Sequence, residues 1–171
     1  QKLLTEAISL RQQGDFEGVS QLCSRIFHQE TNQPGALYLL GTIDLQIGEY
    51  KQAVTRFREV LKAYPEWAMA YNNLGNALQS IGVFDKAIDS YAQSLSLNSE
   101  NAEVYNNLGN VYQRSGNYIK AINYYKQALL LKPDYPVILS NLGAAFQACG
   151  KLEEAVVIYE KAIDQMPQNY K

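Results

Sequence analysis

Apolar residues along this chain recur at helical spacing, in pairs of short runs. Tyr105, Leu108, Gly109 and Tyr112 are related by 3, 4 and 7 residues and share one helix face. Tyr118, Ala121, Ile122, Tyr125, Ala128 and Leu129 form a second such face. Gly116 between them can take the left-handed conformation that ends a helix. Pro133 prevents the second helix from continuing. The pattern predicts an antiparallel helix pair over residues 102–135.

The same pattern returns every 34 residues, without gap or insertion. Gly41, Gly75, Gly109 and Gly143 keep that step, as do Gly14, Gly48, Gly82, Gly116 and Gly150. Framework series follow: Leu3, Leu37, Tyr71, Tyr105, Leu139, then Glu6, Leu40, Leu74, Leu108, Leu142, and Leu10, Asp44, Leu78, Tyr112, Phe146. In the second run, Val19, Ala53, Ala87, Ala121 and Ala155 precede Cys23, Phe57, Tyr91, Tyr125 and Tyr159. Pro65, Pro133 and Pro167 close three units. A fixed period in this range marks a repeat architecture whose neighbouring pairs stack. The units are 1–33, 34–67, 68–101, 102–135 and 136–169, and Tyr170 and Lys171 begin a truncated sixth. Glycine at the place of Gly109 lets the facing helix approach closely, which outweighs a helix-propensity cost of about 1 kcal/mol. Eight tyrosines (Tyr50, Tyr71, Tyr91, Tyr105, Tyr112, Tyr118, Tyr125, Tyr159) occupy framework places and are expected to pack.

Composition narrows the function classes. The chain has 171 residues, 47% hydrophobic and 19% charged, with a net charge of −2. That balance argues against disorder and against a surface built to grip phosphates or anionic lipid. No apolar run approaches the roughly 18 residues of a spanning helix, and no signal peptide is present. The chain starts at Gln1 rather than Met, which points to trimming or processing.

The 34-residue helix–turn–helix, with its aromatic–x2–Leu-Gly–x2–aromatic signature, resembles the tetratricopeptide repeat. The clearest copy is Tyr105, Leu108, Gly109, Tyr112, Gly116, Tyr118, Ala121, Tyr125, Ala128 and Pro133. The resemblance covers the whole chain. It implies an all-α fold, a right-handed α-solenoid of five units, and a scaffold that binds polypeptide along a concave face. Unit 1 departs most from the pattern, with polar Glu6 fitting a terminal helix. Asp44 also departs, at a place apolar in its sisters, and faces either a partner or a neighbouring helix end.

The resemblance further implies that the second, fifth, sixth, ninth and twelfth places of each unit line the concave face. The fifth carries Leu4, Tyr38, Asn72, Asn106 and Ser140, and the sixth Thr5, Leu39, Asn73, Asn107 and Asn141. The ninth carries Ile8, Thr42, Asn76, Asn110 and Ala144, and the twelfth Arg11, Leu45, Gln79, Gln113 and Gln147. Asparagine is a poor helix former, yet Asn-Asn-Leu-Gly-Asn occurs at 72–76 and again at 106–110. An amide both donates and accepts, so a row of them can hold an extended chain by its backbone. The arrangement is similar to the asparagine-lined groove in the repeats of O-linked N-acetylglucosamine transferases. For Asn73, Asn107 and Asn141, ligand contact competes with bonding between adjacent repeats. Asn72, Asn76, Asn106 and Asn110 are read towards solvent or ligand. The candidate binding residues are therefore Tyr38, Asn72, Asn73, Asn76, Gln79, Asn106, Asn107, Asn110, Gln113 and Asn141. The carboxylate clamp of chaperone-binding relatives needs Lys and Arg at the second, fifth, sixth and ninth places, and none occurs there. Tyr38, Leu45 and Met69 offer apolar contacts.

Candidate chemistry is sparse. His28 is the single histidine, Cys23 sits at a core place, and Cys149 precedes a turn. Glu153 and Glu154 suit a helix start. The fourth unit's excess of Arg114, Lys120, Lys126 and Lys132 reads as a solvated convex side. These features predict no enzyme, no cofactor, no metal and no nucleic-acid partner. Two unpaired thiols point to the cytoplasm. The expected function is a scaffold for a peptide or partner protein. The alternatives are a substrate-presenting arm of a larger enzyme, such as a glycosyltransferase, and self-association through the uncapped last helix pair.

Overall fold

Each turn glycine of the 34-residue series ends a helix. The computed structural model describes residues 2–28 and 33–165. Among these, ten helices and no strands occur: α1 (Lys2–Gln12), α2 (Phe16–His28), α3 (Gln33–Ile47), α4 (Tyr50–Ala63), α5 (Ala68–Ser80), α6 (Phe84–Leu97), α7 (Ala102–Arg114), α8 (Tyr118–Leu131), α9 (Pro136–Ala148) and α10 (Leu152–Asp164). The expected all-α class and the helix–turn–helix pairing are both observed. Pro167, Tyr170, Lys171 and Gln1 lie outside the described residues, as does the side chain of His28.

The turn is built the same way five times. Gly116 has φ +79°, and the Asn117 N–H donates to the Tyr112 carbonyl at 2.8 Å, closing the last turn of α7. The same bond runs from Asp15 to Leu10, Glu49 to Asp44, Val83 to Leu78 and Lys151 to Phe146. A Cβ at this φ would be strained. Two helices carry an asparagine cap: Asn101 accepts from the Glu103 and Val104 N–H groups, and Asn117 from Lys120 N–H.

Two compact units divide the chain, Gln1–Leu97 and Asn98–Lys171, so each holds whole helix pairs. In the first unit, Ala7, Val19, Cys23, Ile26, Ala36, Leu39 and Ile43 form one buried cluster. In the second, Ala121, Tyr125, Ala128, Ile138, Leu142, Ala145 and Phe146 form another. The eight framework tyrosines are all buried or half-buried, with Tyr91 and Tyr125 fully enclosed. Glu6 is exposed on α1.

Within a pair, the helices meet at a glycine. The Tyr91 ring lies across Gly75, where an added Cβ would come within 2.5 Å of the ring. Tyr125 crosses Gly109 in the same way. Tyr159 crosses Gly143 and Phe57 crosses Gly41, with corresponding distances of 2.6 and 2.9 Å. The glycine therefore decides where the aromatic ring of the second helix ends up, and that placement reaches the candidate site.

Asp44 is 6% exposed and faces a neighbouring helix: Arg56 on α4 donates from Nε to its Oδ2 at 2.6 Å. The equivalent pair in the fourth repeat is Tyr112 and Tyr124, whose rings stack at 5.2 Å. An ion pair thus occupies a place where the fourth repeat stacks two aromatic rings.

Candidate functional site

Side chains expected to line the groove bond to one another between adjacent first helices. In the first compact unit, Asn73 Nδ2 donates to the Tyr38 hydroxyl at 3.0 Å, joining the sixth place of one repeat to the fifth of the preceding one. Arg11 Nη1 donates to Thr42 Oγ1 at 3.0 Å, and that hydroxyl donates onward to the Leu39 carbonyl at 2.7 Å. In the second unit, Asn141 Nδ2 donates to Asn106 Oδ1 at 3.0 Å and to Asn110 Oδ1 at 3.3 Å. The bonding between adjacent repeats weighed for the sixth-place amides is present at Asn73 and Asn141.

The ninth and twelfth places have a partner that sequence reasoning missed. The Tyr91 hydroxyl lies 2.7 Å from Asn76 Oδ1 and 2.9 Å from Gln79 Oε1. The Tyr125 hydroxyl lies 2.7 Å from Asn110 Oδ1 and 2.8 Å from Gln113 Oε1. One hydroxyl carries one proton, so it donates to one amide oxygen and accepts from the other amide once that group is turned to offer its NH2. Because the ring passes over a glycine, its hydroxyl emerges beside the residues one and four places further along the same helix. Asn76 and Asn110, read towards solvent or ligand, are thus tied to the framework of their own repeat and remain half-buried.

A signal for this existed within the sequence. Tyrosine stands at the crossing place in the third, fourth and fifth repeats, and those repeats carry Gln79, Gln113 and Gln147 at the twelfth place. The second repeat has Phe57 with Leu45, and the first Cys23 with Arg11. Gln147 Oε1 accepts from the Tyr159 hydroxyl at 3.3 Å, which extends the device to the fifth repeat.

The remaining candidates divide by environment. Asn72 is buried at 8% exposure, while Asn106, Asn107, Gln79 and Gln113 are half-buried. Tyr38 stacks on Trp67 at 4.5 Å and meets Phe57 edge-on at 5.8 Å, so its ring is fixed by aromatic neighbours. Met69 is 61% exposed beside this cluster in sequence and remains open.

Reactive groups are few. Both cysteines are free thiols, and burial pushes the Cys23 thiol up to about 11 against a smaller lowering by Arg56. Among the described residues, no group of three His, Cys, Asp or Glu side chains could hold a metal ion. No helix among them is long and apolar enough to cross a membrane. The fourth repeat's Lys120, Lys126 and Lys132 are exposed, and each sets its ammonium over an aromatic ring, at 5.1, 5.6 and 5.3 Å.

Two tetratricopeptide repeat family models match this chain, one over residues 10–78 and 113–171 and the other over 67–134. The chain belongs to the tetratricopeptide repeat family. A solved structure of MamA shares 28% identity with a TM-score of 0.84, and the match covers 93% of each chain. A thermophilic tetratricopeptide repeat protein of Thermus thermophilus shares 26% identity with a TM-score of 0.78, over 99% of this chain and 92% of that one. The rhomboid protease GluP of Bacillus subtilis (strain 168) is 35% identical over 72 residues, which are 42% of this chain. The match spans only 14% of that relative's length. Membership of this repeat family supports a protein-interaction scaffold, and such repeats are typically non-catalytic.

Proposed function

We propose that this tetratricopeptide repeat chain binds an extended polypeptide along its first helices, through the row of Asn and Gln side chains. One observation carries the reading. Asn73 and Asn141 commit their NH2 groups to the preceding repeat, while their carbonyl oxygens accept no hydrogen bond from a described residue. Both side chains are half-buried and held in one orientation. A fixed acceptor loses little freedom when a peptide N–H arrives, so each such bond contributes about 1 kcal/mol. Recognition of this kind reads the backbone of the ligand more than its side chains.

Peptides selected from a random display library provide the test. Asn73→Ala and Asn141→Ala are expected to weaken binding of selected peptides by roughly fivefold each, with helicity by circular dichroism unchanged. Methylation of the peptide's backbone nitrogens should abolish binding. Retained affinity in both experiments would refute the backbone-holding groove.

A second reading is that the segment serves as the recognition arm of a larger enzyme. Its support is the 72-residue match to a rhomboid protease that is far longer than this chain. The full gene sequence decides it through the presence or absence of a catalytic domain.

Self-association is a further partner proposal. Val156 on α10 is 55% exposed, whereas its counterparts in the second and fourth repeats, Val54 and Ile122, are buried at 6% and 7% exposure. Leu152 and Ile163 extend the same open face. Sedimentation velocity over a concentration series should reveal dimers that Val156→Lys dissociates. A strict monomer at high concentration rules this out.

A further inference from the structure

Arg11 is the one cation among the fifth, sixth, ninth and twelfth places of the five repeats. Its guanidinium carries five N–H donors, and among the described residues only Nη1 is engaged, on Thr42 Oγ1. Neither ion pair among the described residues includes it. The side chain is half-buried, between α1 and the Thr42 turn of α3. The bond to Thr42 fixes the direction of the planar fork, because Thr42 is itself anchored to the Leu39 carbonyl. A guanidinium that is positioned, partly desolvated and without a carboxylate is the geometry that favours an incoming one.

We infer that Arg11 receives an Asp or Glu side chain of the polypeptide that occupies the groove. This rests on the groove reading above and adds a charge requirement to it. A single cation suits a carboxylate. A phosphate group would draw on more than one, and the other groove places hold no Lys or Arg. A chain terminus is disfavoured for a related reason. Leu4 and Ile8, at the fifth and ninth places of the same repeat, and Leu45, at the twelfth place of the next, supply no side-chain donors for the backbone groups beside a terminal carboxylate. Distance permits one ligand to reach both Arg11 and Asn73. Two interhelix steps of about 8–10 Å lead from α1 through α3 to α5, and about six extended residues cover that span.

The experiment selects random 12-residue peptides from a display library on the whole chain and on three variants. The selected peptides are then resynthesised with free and with amidated C-termini. The wild-type chain should enrich Asp or Glu at one fixed position, and replacing that acid by its amide should lower affinity about tenfold. Arg11→Gln should erase the preference, and Arg11→Glu should convert it into one for Lys or Arg. Thr42→Val, which frees the guanidinium without removing it, should weaken the preference while keeping its sign. Unchanged melting temperatures guard against misfolding, and a variant that does fail to fold leaves the amide-substituted peptides on the wild-type chain to decide. Peptides that depend on Asn73 or Asn141 yet show no acidic position overturn the Arg11 inference and leave the groove standing. The inference also falls if the preference survives in Arg11→Gln, or if amidating the C-terminus removes binding. If no peptide depends on the two asparagines, the groove reading itself fails and takes this inference with it.

Discussion

The Tyr125 hydroxyl lies 2.7 Å from Asn110 Oδ1, so a fully buried framework ring positions an amide of the candidate site. Asn141 of the next repeat donates to the same Asn110 oxygen, and Gln113 closes on the hydroxyl from the other side. Tyr125→Phe keeps the ring over Gly109 and removes only the hydroxyl. We expect a loss of about 1 kcal/mol in stability, read as a lower urea midpoint. If groove amides bind peptide, the same variant should also reduce affinity for selected peptides. Phe57, which carries no hydroxyl, supplies the internal comparison: Phe57→Tyr should leave peptide affinity unchanged.

Gly109→Ala tests the close crossing. In an open helix position this change would stabilise by about 1 kcal/mol. Here the new methyl meets the Tyr125 ring, which is enclosed and cannot withdraw. A net cost of about 1–3 kcal/mol is expected. Gly143→Ala should cost less, because the Tyr159 ring is only half-buried and can move outward. Parallel denaturation curves for the two variants check the order.

The pair between Asp44 and Arg56 is a replaceable solution to a packing problem. Removing Asp44 alone, as in Asp44→Ala, leaves a partly enclosed guanidinium and should cost about 1–3 kcal/mol. The double change Asp44→Tyr with Arg56→Tyr copies the stacked pair of Tyr112 and Tyr124 and should come out near neutral or stabilising. A double-mutant cycle by thermal unfolding measures the coupling.

Alkaline pH should weaken the fold. Burial raises the Cys23 thiol to about 11 and raises the Tyr125 phenol, so both stay protonated in the folded chain. In the unfolded chain they ionise near their ordinary values of ~8.5 and ~10. Above those values the unfolded state holds fewer protons, and stability falls with rising pH. The contribution of Cys23 is therefore complete below pH ~8.5 and is lost as pH rises through about 11. Urea midpoints taken between pH 7 and 10.5 should decline, and Cys23→Ala should flatten the decline.

The sequence alone determined the period, the ten helices and their turns. Those depend on local causes repeated five times, a left-handed glycine and apolar spacing of 3 and 4, with a closing proline in three of the units. The resemblance to the tetratricopeptide repeat, read residue by residue, marked Asn73 and Asn141 as expected groove places. The sequence did not reveal what the amides bond to, since that depends on groups about 15 and 35 residues away meeting in space. Tyr91 and Tyr125 reach Asn76 and Asn110 only because rings cross glycines on a packed neighbour. Asp44 is explained only by Arg56 on the next helix. The periodic pattern specifies the frame, and side-chain packing across helices decides which donors and acceptors are consumed within it.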